Sequence, residues 1–122
     1  MLAQFLVVSS ETNEAAGHVV CYDAEANSGH AHIGAIFDPD YMHAGIAVDA
    51  VTVFVRYLFA TYSLRKLYLD VRGFNYELIS SGAGRFFQVE GKLRDHDYYN
   101  GQYWDKYILA IYRGDPMGAV RS

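Results

Sequence analysis

The sequence has little of several things that would fix its class at once. Its single cysteine, Cys21, excludes an internal disulfide, fits a reducing compartment and reads as buried filler. Lysine and arginine total 10 against 14 acidic residues, a formal net charge of -4, and no basic cluster is available to displace counterions from phosphates. Nucleic acid is therefore not an expected partner. The apolar runs are too short to span a bilayer, so no membrane partner is expected either. The opening "MLAQFLVVSSETNE" lacks a basic segment and a small-residue cleavage site, so it reads as a strand rather than a signal peptide, and the expected location is the cytoplasm. There is no internal repeat or low-complexity linker, and 122 residues make one domain, expected over 1–113. The tail 114–122, "GDPMGAVRS", has turn residues without periodicity and is expected to fray.

What is abundant is apolar and aromatic. Hydrophobic residues make up 52% of the chain and aromatics 16%, with 11 tyrosines, many of them within "HDYYNGQYWDKYILAIYR". Tyrosine combines apolar area with a polar tip, which suits a sheet with one face at an interface or along a cleft. Strands are expected at Gln4 to Ser9, Gly17 to Asp23 and His30 to Phe37, the last closed by Asp38-Pro39 because proline cannot extend a ladder. The period then changes. Ala47, Val51, Phe54, Leu58 and Tyr62 recur at spacings of three and four, which predicts one helix from about Gly45 to Tyr62. Lys66 to Val71 reads as a strand, so strand, helix and strand form a βαβ unit. A short helix is predicted from Asn75 to about Ser81, and strands at Phe87 to Leu93 and Trp104 to Tyr112 flank Asn100-Gly101, a strong hairpin signal. The expected class is α/β or α+β with a mixed sheet.

Where a strand ends at Phe37 and a helix starts near Gly45, unpaired N–H groups and the positive end of the helix dipole converge on one point. Such a point binds anions, and Gly45 and Ala47 leave room for a pyrophosphate; ordinary turn chemistry is the competing explanation. His30 and His32, two apart on one strand, share a face and are base candidates; the alternative is a solvent-facing strand start. Asp38 and Asp40 read as turn formers, and His96 with Asp97 as part of a solvated hairpin or the acceptor end of a cleft. No spacing matches a zinc site, so no metal is expected. His18 and Cys21, three apart, fall on opposite faces of a strand and make no nucleophile pair.

"DPDYMHAGIAVDA" resembles motif A of the GNAT superfamily of acyl-CoA N-acyltransferases, with Met42, His43, Ala44, Gly45, Ile46 and Ala47 in the places of its Q/R-x-x-G-x-G/A pattern. "RKLYLDVRGFN" resembles the strand and asparagine that follow in the family. "FQVEGKLRDHDYYNGQYWDKYILAIY" is similar to the ending of the branch typified by ribosomal-protein acetyltransferases and related spermidine and antibiotic acetyltransferases, through Phe87, Glu90, Gly91, Leu93, Arg94, Asn100, Gly101 and Asp105. The resemblance runs from Gln4 to Tyr112. It implies a mainly antiparallel GNAT-like sheet splayed between "HAHIGAIF" and "KLYLDV", with acetyl-CoA as co-substrate and its pantetheine in the gap. Backbone groups near Ile36 and Phe37 would meet the pantetheine, and one N–H there would polarise the thioester carbonyl. The amides of His43, Ala44, Gly45, Ile46, Ala47 and Val48 would hold the pyrophosphate, and Asn75 would hydrogen-bond near the pantetheine. The reaction implied is direct acetyl transfer to an amine of a small molecule or peptide.

Three departures stand beside this. Motif A opens on Met42 in place of glutamine or arginine. Gly82 stands where many members carry a tyrosine acid, leaving Tyr76 as the positional substitute. The chain also starts at what resembles the family's second strand, which leaves an open sheet edge and favours a homo-oligomer. Two readings follow: an N-acetyltransferase, or a catalytically degenerate relative that keeps the fold for binding or oligomerisation.

Overall fold

A computed structural model of the chain describes residues 2–9, 12–38, 46–76, 84 and 86–115. Six strands and two helices follow one another as β1 (Ala3–Val8), β2 (Ala15–Glu25), β3 (His30–Phe37), α1 (Ile46–Thr61), β4 (Lys66–Arg72), α2 (Gly73–Tyr76), β5 (Gln88–Tyr99) and β6 (Gln102–Tyr112). They build one sheet in the order β1-β2-β3-β4-β6-β5, antiparallel throughout except where β3 runs parallel to β4. The connection through α1 makes that parallel pair possible, because parallel neighbours need a long crossover.

Period two decides what each strand buries. On one face Val19 and Cys21 of β2, Ala31 and Ile33 of β3, Leu67 of β4 and Leu109 and Ile111 of β6 form a core with Phe54, Val55, Leu58 and Phe59 of α1. The helix stripe is wider than the predicted spacing: Val55 and Phe59 are as buried as Phe54 and Leu58. The end of α1 is closed by Arg113, whose guanidinium donates to the carbonyl oxygens of Phe59, Tyr62 and Leu64. Phe59 is in the last turn of α1, and Tyr62 and Leu64 follow the helix, so one cation after β6 fastens the helix end to the sheet. Burial pushes the Cys21 thiol up, in keeping with a filler role.

The element boundaries differ from the sequence expectation chiefly at the polar ends. β3 has the expected bounds and β4 gains only Arg72, whereas β2 extends to Glu25 and the β5–β6 hairpin runs from Gln88 to Tyr112. Asn100 (φ 53°) and Gly101 (φ 80°) both take the left-handed conformation that a tight hairpin turn of this hand requires, as the Asn-Gly pair predicts. β5 breaks register between Val89 and Gly91 and between Leu93 and Asp97, and Asp95 at the second break has φ 47°. Its N–H is held by the Asp105 carboxylate at 3.0 Å. The short helix begins earlier than expected, at Gly73, and the predicted continuation over 77–81 lies outside the described residues. Of the tail, Asp115 turns back onto Tyr112, accepting from its N–H at 2.9 Å and donating to its carbonyl at 2.9 Å.

Candidate functional site: a parted sheet

Pairing between β3 and β4 stops early. It joins His30 to Lys66, Ala31 to Leu67, His32 to Tyr68 and Ile33 to Leu69, and then ends although both strands continue, to Phe37 and Arg72. Backbone direction on each wall follows from neighbouring bonds. The Asp38 N–H donates to the Ala16 carbonyl at 2.8 Å on the β2 side, and a side chain at Gly17 would lie 2.2 Å from the Ile36 oxygen. Ile36 therefore faces β2, and by alternation Ala35 and Phe37 turn their N–H and C=O toward β4. On the other wall the Arg113 N–H donates to the Arg65 carbonyl at 3.1 Å, so odd-numbered residues of β4 face β6 and Asp70 and Arg72 face β3. The gap is thus walled by the backbone of Ala35 and Phe37 on one side and of Asp70 and Arg72 on the other. Of the expected pair Ile36 and Phe37, Phe37 turns its backbone polar groups toward β4 and Ile36 turns its own toward β2.

The face opposite α1 carries polar and aromatic side chains. His30 and His32 lie on it together, as their spacing predicts, but they are half-buried rather than a solvent-facing strand start. His32 stacks between Tyr22 (5.6 Å, 26°) and Tyr68 (5.2 Å, 30°), and His30 meets Tyr68 edge-on at 5.6 Å. Both histidines sit where β3 and β4 are still paired, short of the gap. The His30 Nδ1 is buried without a hydrogen-bond partner among the described residues.

Beside them Lys66 is buried to 8% exposure, an unusual place for a lysine. Burial alone would lower its pKa, but the ion pair with Glu90 and the hydroxyls of Tyr68 and Tyr112 outweigh that and hold the ammonium charged well above the ordinary lysine range. The Lys66 hydrogen bond in turn holds the Glu90 carboxyl below its ordinary value, against the opposing effect of burial, and the Tyr112 hydroxyl donates to Glu90 at 3.2 Å. Lys66 also lies over the Tyr68 ring at 4.5 Å and the Tyr112 ring at 5.1 Å. Glu90, one of the residues that carries the sequence resemblance, thus has a structural partner in this fold.

Sequence reasoning missed Asp70. It is exposed, it belongs to the part of β4 beyond the last pair with β3, and it shares the histidine face. The Tyr22 phenol is raised above its ordinary value by burial first and then by the charges of Asp70 and Asp23. The alternation of "KLYLDVR", with Lys, Tyr, Asp and Arg on one face and Leu, Leu and Val on the other, was the signal that could have found it.

Tyr76 is the last residue of α2. Its ring stacks on Tyr107 at 3.9 Å and 12°, meets Phe87 edge-on at 6.3 Å and packs against the core. His43, Ala44 and Gly45 lie outside the described residues; Ile46, Ala47 and Val48 form the start of α1, and Asn75 lies in α2. Met42 and Gly82 are also outside the described residues. Among the described residues no three of His, Cys, Asp and Glu come together in a way that could hold a metal ion. No helix among them is long and apolar enough to cross a membrane.

Among the described residues, then, the chain forms a mixed sheet whose one parallel pair of strands parts beyond Ile33 and Leu69. The chain belongs to the acetyltransferase (GNAT) domain family, whose model matches residues 2–79. It is 26% identical over 115 residues to the N-acetyltransferase p20 of Bacillus licheniformis, covering 94% of this chain and 65% of that protein. It is 31% identical over 100 residues to spermidine N(1)-acetyltransferase of Escherichia coli K12, covering 82% of this chain and 54% of that one. Among solved structures, spermidine N-acetyltransferase from Vibrio cholerae in complex with CoA and spermine shares the fold at a TM-score of 0.73 and 24% identity, over 92% of this chain and 66% of that chain. A GNAT-family acetyltransferase from Bacillus anthracis does so at 0.68 and 23%, over 92% and 67%. The chain spans between about half and two-thirds of the length of the relatives it matches in sequence.

Proposed function

We propose that the chain is an acetyl-CoA-dependent N-acetyltransferase that moves an acetyl group directly to an amine of a small molecule or peptide. The observation that carries this reading is the parted sheet, in which the described pairing of β3 with β4 stops at Ile33↔Leu69 while Ala35 and Phe37 on one wall and Asp70 and Arg72 on the other run on beyond it. A pantetheine arm has two amides along an extended chain, the chemistry that such walls bind. In the gap the Phe37 or Ala35 N–H would donate to the thioester oxygen as charge develops on it. The amides of His43, Ala44, Gly45, Ile46, Ala47 and Val48 would hold the pyrophosphate at the start of α1, and Asn75 would bond near the pantetheine.

In the chemical step the amine nitrogen attacks the thioester carbon, a C–N bond forms, the C–S bond breaks, the amine gives up a proton and the CoA thiolate gains one. Asp70 is the base we favour, acting directly or through one water, because it stands at the gap whereas His30 and His32 stand behind it. Tyr22, whose phenol is raised above its ordinary value, is the acid we favour over Tyr76, whose ring stacks on Tyr107 against the core. The spermidine acetyltransferases among the relatives make an aliphatic polyamine the first acceptor to try. The setting we propose is a cytoplasmic homo-oligomer in which 1–113 forms the domain and 114–122 its tail.

The test is release of free CoA thiol with acetyl-CoA and a panel of spermidine, spermine and short peptides with free N-termini. The expected result is amine-dependent turnover that Asp70→Asn lowers about 100-fold in kcat at neutral pH, with the KM for acetyl-CoA unchanged. CoA binding without turnover on any amine would instead support the second reading, a fold kept for binding. That reading has the departures at Met42 and Gly82 in its favour.

A further inference from the structure

The end of β3 parts from β4 without leaving β2. Its antiparallel pairing with β2 continues without a break from Cys21↔Ile33 to Gly17↔Phe37, and the Asp38 N–H adds a bond to the Ala16 carbonyl at 2.8 Å. Gly17 stands at the closest approach of the two strands. A Cβ there would collide with the Ile36 carbonyl oxygen and lie 2.8 Å from both Cα and Cδ1 of Phe37. Two of those three atoms are backbone, which cannot turn aside as the tip of a side chain can. The other strand glycines are unlike it: a Cβ at Gly34 would first meet the Val20 side chain at 3.3 Å, and one at Gly91 the Ile108 side chain at 3.4 Å. Conformation does not call for glycine at position 17 either, because the left-handed glycines among the described residues are Gly29, Gly84 and Gly101. What Gly17 supplies is room for another backbone.

We propose that Gly17 is a positioning residue for the gap: by letting the end of β3 lie hard against β2, it holds the Phe37 wall back from β4. The proposal rests on the reading of that gap as the acetyl-CoA site. Gly17 acts through Phe37 and touches no ligand itself. Strand order fixes the direction of the effect, because β3 lies between β2 and β4. A side chain at position 17 drives Ile36 and Phe37 off β2, and within the sheet the way open to them is toward Asp70 and Arg72, which narrows the gap. A glycine inside a strand weakens it, having no side chain to pack and more backbone freedom to lose. Here that cost falls at the one pair, Gly17↔Phe37, that ends the gap wall.

The test compares Gly17→Ala with Leu109→Ala, a core variant on β6 that is destabilised by a cavity rather than by a shifted strand. Calorimetry gives the CoA dissociation constant, steady-state kinetics give KM and kcat for acetyl-CoA, and amide spectra are recorded without ligand. Gly17→Ala is expected to weaken CoA about 10-fold and to raise the KM for acetyl-CoA by a like factor, with kcat changed less than about threefold. The ligand-free amides of Ala35, Phe37 and Asp38 are expected to shift in the same variant. Leu109→Ala is expected to melt lower yet keep the parent's CoA affinity within about twofold. In the parent the Asp38 amide is expected to exchange slowly without ligand, a measurement that decides the matter if Gly17→Ala does not fold. Unchanged CoA affinity in folded Gly17→Ala, an equal loss in Leu109→Ala, or an unprotected Asp38 amide in the parent would each overturn the proposal. A parent that binds no CoA would overturn the acetyl-CoA reading instead, and the ligand-free shift at Phe37 would then decide whether Gly17 sets the wall.

Discussion

The two faces of the central strands are made from alternate residues of the same short segments, and they solve different problems. Toward α1, Ala31, Ile33 and Leu67 are buried among aliphatic and phenyl side chains. Toward the other side, their neighbours His30, His32, Lys66 and Tyr68 form a polar and aromatic row in which a charged lysine is almost as hidden as the core. The first face is stabilised by area removed from water, and any apolar residue of the right volume serves it. The second is stabilised by matched partners, so each member depends on another. The pairing of β3 with β4 ends just beyond that row, at Ile33↔Leu69.

The largest expected effect lies on the helix side. Leu67→Ala leaves a cavity in the middle of the core and is expected to cost about 3 kcal/mol, a fall in Tm of roughly 12 °C in calorimetry. Next comes Glu90→Gln on the other face, which leaves the Lys66 ammonium buried beside a neutral amide and is expected to cost about 1–3 kcal/mol. Its signature is in the pH dependence. The Glu90 carboxyl is held below its ordinary value, so its contribution is present above the unfolded carboxylate pKa of about 4.3 and is lost as pH falls through the folded value. Lys66 is raised, so its contribution is present below the unfolded pKa of about 10.4 and is lost as pH rises past the folded value. Melting curves of Glu90→Gln are expected to lack both slopes, and an unaltered acid slope would contradict the pairing.

Smaller effects separate the faces further. His32→Ala removes one ring from the stack with Tyr22 and Tyr68 and is expected to cost about 1 kcal/mol by urea titration. Ile36→Thr changes a side chain that is 65% exposed and is expected to stay within about 0.5 kcal/mol of the parent, because none of the described residues encloses it.

Much of the fold was legible because it rests on periodicity. β3 ends where Asp38-Pro39 says it should, α1 follows the spacing from Val51 to Leu58, and Asn100-Gly101 turns the last hairpin. The polar ends of β2 and β5 were not legible, since Asp23 and Asp95 sit in the left-handed region only because partner strands and the Asp105 carboxylate hold them there. The site was legible as a place rather than as a set of atoms. Sequence resemblance puts a gap between β3 and β4, but the orientation of Ile36 away from it follows from bonds to β2, and the place of Asp70 beyond the last pair with β3 follows from strand register. Local sequence encodes neither. Lys66 and Glu90 read as ordinary strand charges until the sheet brings them together from 24 residues apart.

The central claim is that the parted strands are a binding slot for the pantetheine arm. The direct measurement is a CoA titration of ¹⁵N-labelled protein followed by amide resonances. The account predicts saturable shifts concentrated at Ala35, Phe37, Asp70 and Arg72, with Val19 and Leu109 in the core unmoved. Saturation that leaves those strand-gap amides in place, or no binding at millimolar CoA, would contradict it.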